Sequence, residues 1–592
     1  MTQIWYTVYG EIPQNKEKGE CDVTRRILAM LAGLLVVSFL LTACDIVVDD
    51  TDDIDTSETT EKVTTEAATT AAKTEKDEET EETKKDDKKD DEKIPSIGTG
   101  DDYVCELPEL NYSGRKVTIL HAKGAGRNDE LTVEGATSNS RVSAAVNERN
   151  LAVERQLDVR LNVVEMEEPY ATDQTLQTAV NSGDATYQIA MNATFASLDS
   201  VINGIYRDLA SVEHLDRSKH YWSQGFNEMM TLGQRNRQFL VTGSVSISML
   251  RYTYFTVFSE TEFAARGIDV DAFYRDVKDG KWTIEYQKTL INQNGSVYKD
   301  NGNGEKDDKD FYGLVTGSVI SVDPYTTAAG VELIVKDEST NALAFNGDAI
   351  TPLTQLCAAV ADLYKNKSTY YYADSMTDNI GSYGATEMFA DKRAMMATTC
   401  LDGMETHLGK LKEIEYGVVP MPKMTERAEY RTYVHDQLSC LGIARSVTDK
   451  NEQSMLGAVM ESMAYHSNRI VRSAYYADAL GTRVVNDPQA RGMLGLLYET
   501  ATFDFACSST GVIDTYIRDR LRPLLSTNKM VVSTVGAWRD DVSNSLITIN
   551  SNMGGMRMIP HSKGEPAAMW QQALWLFAAN GGKSVNIHTE FI

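Results

Sequence analysis

The chain has 592 residues and a net charge of −28, from 86 acidic against 58 basic side chains. This balance excludes a nucleic-acid binder, whose affinity depends on basic neutralisation of phosphates. Its length exceeds one ordinary hydrophobic core and implies two lobes of substantial size.

At the N-terminus, Arg25 and Arg26 precede an uncharged run from Ile27 to Ala43, broken only by the polar Ser38 and Thr42. A basic pair, a short apolar stretch and small residues before a cut site form an export signal. The run is marginal for a bilayer, whose core takes about 20 apolar residues, so an uncleaved anchor helix is the alternative. The stretch ends Leu41-Thr-Ala-Cys44, which resembles the lipobox of bacterial lipoproteins. The resemblance implies that residues 1–44 are a leader and signal peptide, that Cys44 carries lipid, and that the exported protein sits on the outer face of the cell membrane.

Between Asp45 and Asp102 the sequence carries 22 acidic and 8 basic residues, which supplies half of the net charge. Aromatic residues are absent there. Such a segment cannot bury enough apolar surface to offset its ordering entropy, so 45–102 is expected to be a disordered acidic linker. As a neutral coil its 58 residues would span roughly 40 Å, and more when self-repelling.

The body from Tyr103 opens as an α/β unit. Arg115–Ala122 is a strand candidate, a helical pattern runs from Ser140 through Val142, Val146, Val153 and Leu157, and Asp158–Val164 alternates as a half-buried strand does. A second helix over Ala171–Asn181 is stopped by Ser182-Gly183-Asp184, and Tyr187–Met191 is a third strand. This alternation predicts a mostly parallel sheet covered by helices, with ligands at the carboxyl ends of the strands. His121, Lys123, Asn192 and Thr194 are placed near that edge.

Further segments resemble, in order, those of the extracellular solute-binding lipoproteins of ABC importers, the broad group that includes maltose-binding protein. They are Arg149-Asn150 with Glu154, Val180–Tyr187, Lys219-His-Tyr-Trp222, Gln238–Gly243, Lys278-Asp-Gly-Lys-Trp-Thr283, Phe389–Met396 and Glu415-Tyr-Gly-Val-Val-Pro-Met-Pro422. The resemblance implies a two-lobed type II periplasmic-binding-protein-like fold with an interlobe cleft. Lobe 1 is expected over 103–251 plus 397–465 and lobe 2 over 252–396 plus 466–592, with crossings near Arg251–Thr256 and Ala394–Thr399. It also implies capture of a solute, hinge closure and delivery to an ABC permease on a separate chain, by a monomer that performs no chemistry. Two other classes remain open, a ligand-sensing lipoprotein for a membrane receptor and a surface polysaccharide hydrolase.

Motifs for catalysis are sparse. No G-x-S-x-G, H-E-x-x-H or P-loop occurs. Gly124-Ala-Gly126 hints at a dinucleotide turn, but Asp129 stands where the third glycine would be. A carboxylate pair formed in space is not excluded by sequence. The five cysteines of the body (Cys105, Cys357, Cys400, Cys440, Cys507) are too scattered for a zinc site. Lys299–Asp310 overlaps a calcium loop, with Asn301, Asn303 and Asp310 at ligand positions 3, 5 and 12, Gly304 at the turn, and Lys299 spoiling position 1.

For the ligand, the family resemblance points to carbohydrate, an oligosaccharide. A sugar asks for aromatic platforms and hydrogen-bonding side chains. The candidates are Tyr252 and Tyr254 at the first crossing, Asp402 after the return, Asp436, Trp538, and Asn192 and Lys123 at strand ends. Each aromatic is equally readable as core, and Asp402 as a helix cap. The lipobox predicts that Cys44→Ala abolishes membrane association while the body stays folded. Fractionation after a salt wash checks this, since an uncleaved anchor would keep the variant with the membranes.

Overall fold

The computed structural model describes residues 105–124, 126–132, 141–317, 323–372, 383–481, 484, 486–506, 520–525, 527 and 530–554. By contacts the chain divides into Met1–Lys88 and Lys89–Ile592, and every described residue falls in the second unit. The Cys44 motif, the acidic linker and Cys507 lie outside the described residues.

The first sheet has four strands in the order Ser439–Ile443 (β12), Ile189–Ala193 (β3), Arg115–Ala122 (β1) and Val159–Met166 (β2). Its centre is β1, Arg115–Ala122, six of whose eight residues are buried. Strand β1 pairs in parallel with β2 (Val159–Met166) and β3 (Ile189–Ala193). Parallel neighbours need crossovers. The helix Arg141–Leu157 is one, burying Val142, Val146, Val153 and Leu157 at helical spacing. The helix Pro169–Ser182 is the next. Proline suits its first turn, where no backbone donor is needed, and Gly183 closes it at φ 78°. Both following strands start slightly later than the sequence pattern suggests. Asp158 adopts φ 49° and gives its carbonyl to Gly114 N at 2.7 Å. Asp184 Oδ1 likewise accepts from Thr186 N at 2.8 Å, holding a turn ahead of β3.

The second sheet has the order β10-β4-β9-β5-β8. It comprises β4 (Tyr254–Ser259), β5 (Tyr312–Gly317), β8 (Thr369–Tyr372), β9 (Ala394–Cys400) and β10 (Tyr416–Val419). Strand β4 runs antiparallel to β9 and β10, and β5 parallel to β8 and β9. Two smaller pairings complete the set. Strands β6 (Ile334–Lys336) and β7 (Leu343–Phe345) form a hairpin, and β11 (Thr432–Tyr433) pairs with β13 (Ala501–Thr502).

The chain leaves the first sheet through the helix Ile247–Arg251, capped by Ser246 Oγ, which accepts from Met249 N at 3.1 Å, and enters β4. It regains the first sheet only at β12 (Ser439–Ile443), antiparallel to β3. Ala394–Thr399 therefore sits within β9 of the second sheet. The segment 397–465 supplies the end of β9 and β10 to that sheet and β12 to the first. An apolar run has the same pattern in either sheet, and pairing partners such as Thr256 and Thr398 are what assign it.

Two of the motifs quoted from the sequence meet here. Trp282, fully buried, donates Nε1 to the Pro420 carbonyl at 2.8 Å, and Thr283 Oγ1 caps the helix Ile284–Ile291 by accepting from Tyr286 N. On β10, a Cβ at Gly417 would lie 2.1 Å from the Tyr274 hydroxyl oxygen and 2.6 Å from the Phe258 ring. Gly417→Ala is accordingly expected to destabilise the protein by about 1–3 kcal/mol through overpacking. Urea unfolding checks this as a lowered midpoint at unchanged slope.

Candidate ligand site at the crossing strands

The loop after β1 carries a fully buried carboxylate, Glu130. Its Oε1 accepts from Ser248 N and Ser248 Oγ, each at 2.7 Å, and from Ser246 Oγ at 3.3 Å. Its Oε2 accepts from Ser439 Oγ at 2.5 Å and lies 3.4 Å from His121 Nε2. These partners belong to the exit helix, to the start of β12 and to β1. The Arg149-Asn150 pair holds the same loop by its backbone, Arg149 Nη2 donating to Glu130 O and Asn150 Nδ2 to Leu131 O, each at 2.7 Å. Glu154 accepts from Leu161 N at 2.9 Å. Burial alone would push the Glu130 pKa up, but His121, Ser439 and Ser248 hold it below its usual value. Burial likewise works against a charged His121, and Glu130 and Glu165 outweigh it, leaving its pKa raised. The His121 imidazole, 3.7 Å away, and the Thr132 hydroxyl bring Glu165 down to about 2.

Beside this network, side chains from both sheets converge. Arg251 donates Nε and Nη2 to the two Glu405 oxygens at 3.0 and 3.1 Å, and Nη1 to the carbonyls of Gly126 and Asn128 at 2.9 and 3.0 Å. Arg127 donates to Ala122 O and Gln437 O at 3.0 and 2.9 Å. Gly126 has φ 77°, and a Cβ there would lie 2.2 Å from the Tyr252 hydroxyl oxygen. Gly126 thus packs its backbone closely on Tyr252.

Tyr252, Tyr254, Asp402 and Asp436, chosen from sequence, gather in this region. Tyr252 lies 6.2 Å from the His435 ring, and Tyr254 lies 5.6 Å from the Tyr433 ring. Asp402 accepts from the Tyr383 hydroxyl, and burial raises its pKa. Asp436 Oδ1 is 2.9 Å from His435 Nδ1. The two tyrosines and Asp436 are covered in this conformation.

Of the other candidates, Lys123 is partly exposed just after β1, and the rest face inward. Lys123 pairs with Glu165 and Glu167 at 3.6 and 3.3 Å. Asn192 is buried, with Nδ2 donating to Pro169 O at 3.0 Å and Oδ1 accepting from Ala193 N. It holds the start of the Pro169–Ser182 helix and presents nothing to a cleft. His121 and Thr194 are buried as well. Trp538 is fully buried in the helix Val531–Gly554, 6.1 Å from the Phe345 ring of β7. It is a packing residue of that helix, apart from the crossing strands.

In the 299–310 loop, Asn301 Oδ1 and Asn303 Oδ1 accept from Asn303 N and Glu305 N. Asp310 accepts from Asn301 N and Tyr298 Oη at 2.9 and 2.8 Å. These three side chains brace the loop's own backbone, and among the described residues no group of three His, Cys, Asp or Glu is placed to hold a metal ion. Cys105, Cys357, Cys400 and Cys440 are free thiols, and burial pushes the last three up to about 12.

Sequence reasoning missed an aromatic pair with one exposed and one half-buried ring. Tyr170, 66% exposed, meets Phe195 edge-on with centroids 5.2 Å apart. Both lie where β2 and β3 hand over to helices, at the carboxyl edge of the first sheet, and Phe195 N donates to Asp436 O at 3.3 Å. The Pro-Tyr start of a helix carries no local sign of this exposure.

No family model and no curated protein matches the sequence. Solved structures with a similar chain path include an ABC substrate-binding protein from Listeria monocytogenes in complex with cycloalternan (14% identity, 73% of this chain and 99% of that one, TM-score 0.43). Others are a sugar transporter from Rhizobium etli in an open conformation (14%, 72% and 98%, TM-score 0.48) and the galacto-N-biose-/lacto-N-biose I-binding protein of the ABC transporter from Bifidobacterium longum with lacto-N-biose (10%, 74% and 98%, TM-score 0.45). At these values the likeness adds nothing to what strand order and crossings show by themselves.

The carboxylate–histidine network makes stability depend on pH in a defined window. With a raised folded pKa, His121 contributes stability that is complete below its ordinary 6.5 and is lost as pH rises through the folded value. Glu130, with a lowered folded pKa, contributes above its ordinary 4.5 and loses this as pH falls through the folded value. In urea unfolding across pH, His121→Gln is expected to reduce the loss of stability above pH 6.5 relative to wild type. Parallel profiles for the two proteins would refute the assignment.

Proposed function

We propose that the chain is a surface lipoprotein, anchored through Cys44, that captures a neutral oligosaccharide between its lobes and delivers it to an ABC permease on separate chains. The observation that carries this reading is the Tyr170–Phe195 pair at the carboxyl edge of the first sheet, adjoining Asp436 and the crossing-strand cluster. Sugars present apolar C–H faces and a rim of hydroxyls, so an exposed ring next to a polar cluster at a strand edge offers the platform they need. The site lies where the chain passes between sheets, so a ligand touching both sides would favour the closed state by its differential affinity. Among the described residues, the groups at this site serve binding and positioning, and the reading requires no bond to be made or broken.

Calorimetry on the full chain with neutral malto- and galacto-oligosaccharides tests the proposal. Tyr170→Ala, which removes a mostly exposed ring, and Asp402→Asn are each expected to weaken binding by about 1–3 kcal/mol without unfolding the protein. The radius of gyration from X-ray scattering is expected to fall on saturation. Binding of cationic solutes with no neutral sugar bound would overturn the ligand class, and unchanged affinity in both variants would overturn the site.

A further inference from the structure

A second concave site lies away from the crossing strands. Leu232 and Arg237 bridge in antiparallel fashion around a tight turn, with Gly233 at φ 68° and Asn236 at φ 49°. This turn leads through Gln238 into Val241, which bridges Leu441 of β12, so it belongs to the first-sheet side. Across from it stands the β6–β7 hairpin. Gly233 N donates to Asn341 O at 3.1 Å, Asn341 Nδ2 to Asn236 Oδ1 at 2.5 Å, and Lys336 Nζ to the Thr231 carbonyl at 2.9 Å. Between turn, hairpin and the end of the helix Val531–Gly554 is a pocket of about 390 Å³, lined among others by Gln234, Arg235, Arg237, Thr340 and Asn550.

The lining contains two guanidiniums and no carboxylate. Among the described residues, neither the Arg235 nor the Arg237 side chain has a hydrogen-bond, ion-pair or ring partner, in a chain where acids outnumber bases 86 to 58. The nearby Asp337 directs Oδ1 to Ser339 and Thr340, at 2.6 and 2.8 Å for the hydroxyls. Asn550 is engaged with both the N–H and the carbonyl of Leu343, so it shapes the wall. Lys336 donates to the Glu228 and Thr231 carbonyls and so ties the hairpin to the segment ahead of the turn. Guanidinium forks match oxyanions in geometry as well as charge, and two of them on one wall form a receptor for such a group.

We propose that this pocket binds a small oxyanion, phosphate, sulfate or carboxylate, through Arg235 and Arg237. The site is independent of the oligosaccharide reading. Its walls come from the first-sheet turn and from the hairpin beyond the crossing, so an anion held there fastens the two together.

The test is calorimetric and thermal-shift titration of the full chain with inorganic phosphate, sulfate and citrate in separate arms, at constant ionic strength set by chloride. Saturable binding of at least one oxyanion with a raised melting temperature is expected. In Arg235→Gln/Arg237→Gln the affinity should fall at least about tenfold, while oligosaccharide affinity is unchanged. The exposed position of Arg235 and the partly exposed one of Arg237 make this variant compatible with folding. Responses that track chloride equally, or equal affinity in wild type and double variant, would overturn the proposal, whatever the outcome at the crossing strands. The three arms distinguish tetrahedral anions from carboxylates.

Discussion

A buried carboxylate left without donors would cost several kcal/mol, and Glu130 avoids that cost only where three distant parts of the chain meet. Its acceptor sites are filled by the exit helix at Ser246 and Ser248, by Ser439 at the head of β12, and by His121 in β1. Satisfying this one group therefore fixes where the chain leaves the first sheet and where it comes back. The Arg149-Asn150 pair secures the loop from the other side through backbone carbonyls, so the anchor does not depend on side-chain charge alone.

Beside this fixed point lies a second contact. Arg251 grips two carbonyls of the first-sheet loop and, through its other nitrogens, the carboxylate of Glu405 in the helix after β9. The Glu405 side chain is 36% exposed and that of Arg251 only 8%, so loss of Glu405 would leave a largely buried guanidinium without its counter-charge. Glu130 thus anchors the loop from within its own sheet, and the Arg251–Glu405 pair ties it to the helix after β9. Of the tyrosines in the same region, Tyr252 and Tyr254 are covered and Tyr170 is outside.

Local physics was legible where the decisive partners are close in sequence. The β1 boundaries, the apolar stripe of the Arg141–Leu157 helix and the stop at Gly183 follow from β-propensity, 3.6-residue periodicity and the freedom of glycine to adopt positive φ. The Lys278–Thr283 motif was recognisable as a turn, although its reason, a tryptophan driven under β10 to reach the Pro420 carbonyl, became visible only in the packing. Four of the seven ligand candidates, Tyr252, Tyr254, Asp402 and Asp436, gather at the crossing region because they flank the crossing strands.

By itself the sequence determined the two-lobed α/β character, the alternation that builds the first sheet, and the compositional break between an acidic, aromatic-free stretch and a folded body. These properties depend on local propensity and on how much apolar surface a segment can bury. Tertiary structure alone decided which sheet receives Ala394–Cys400, that Trp538 packs inside its helix layer while Tyr170 stands in solvent, and that Glu130 joins residues more than a hundred positions away. Such outcomes turn on pairing and burial between distant segments, and nothing in the immediate neighbours of a tryptophan, a tyrosine or a glutamate encodes what will be packed against it.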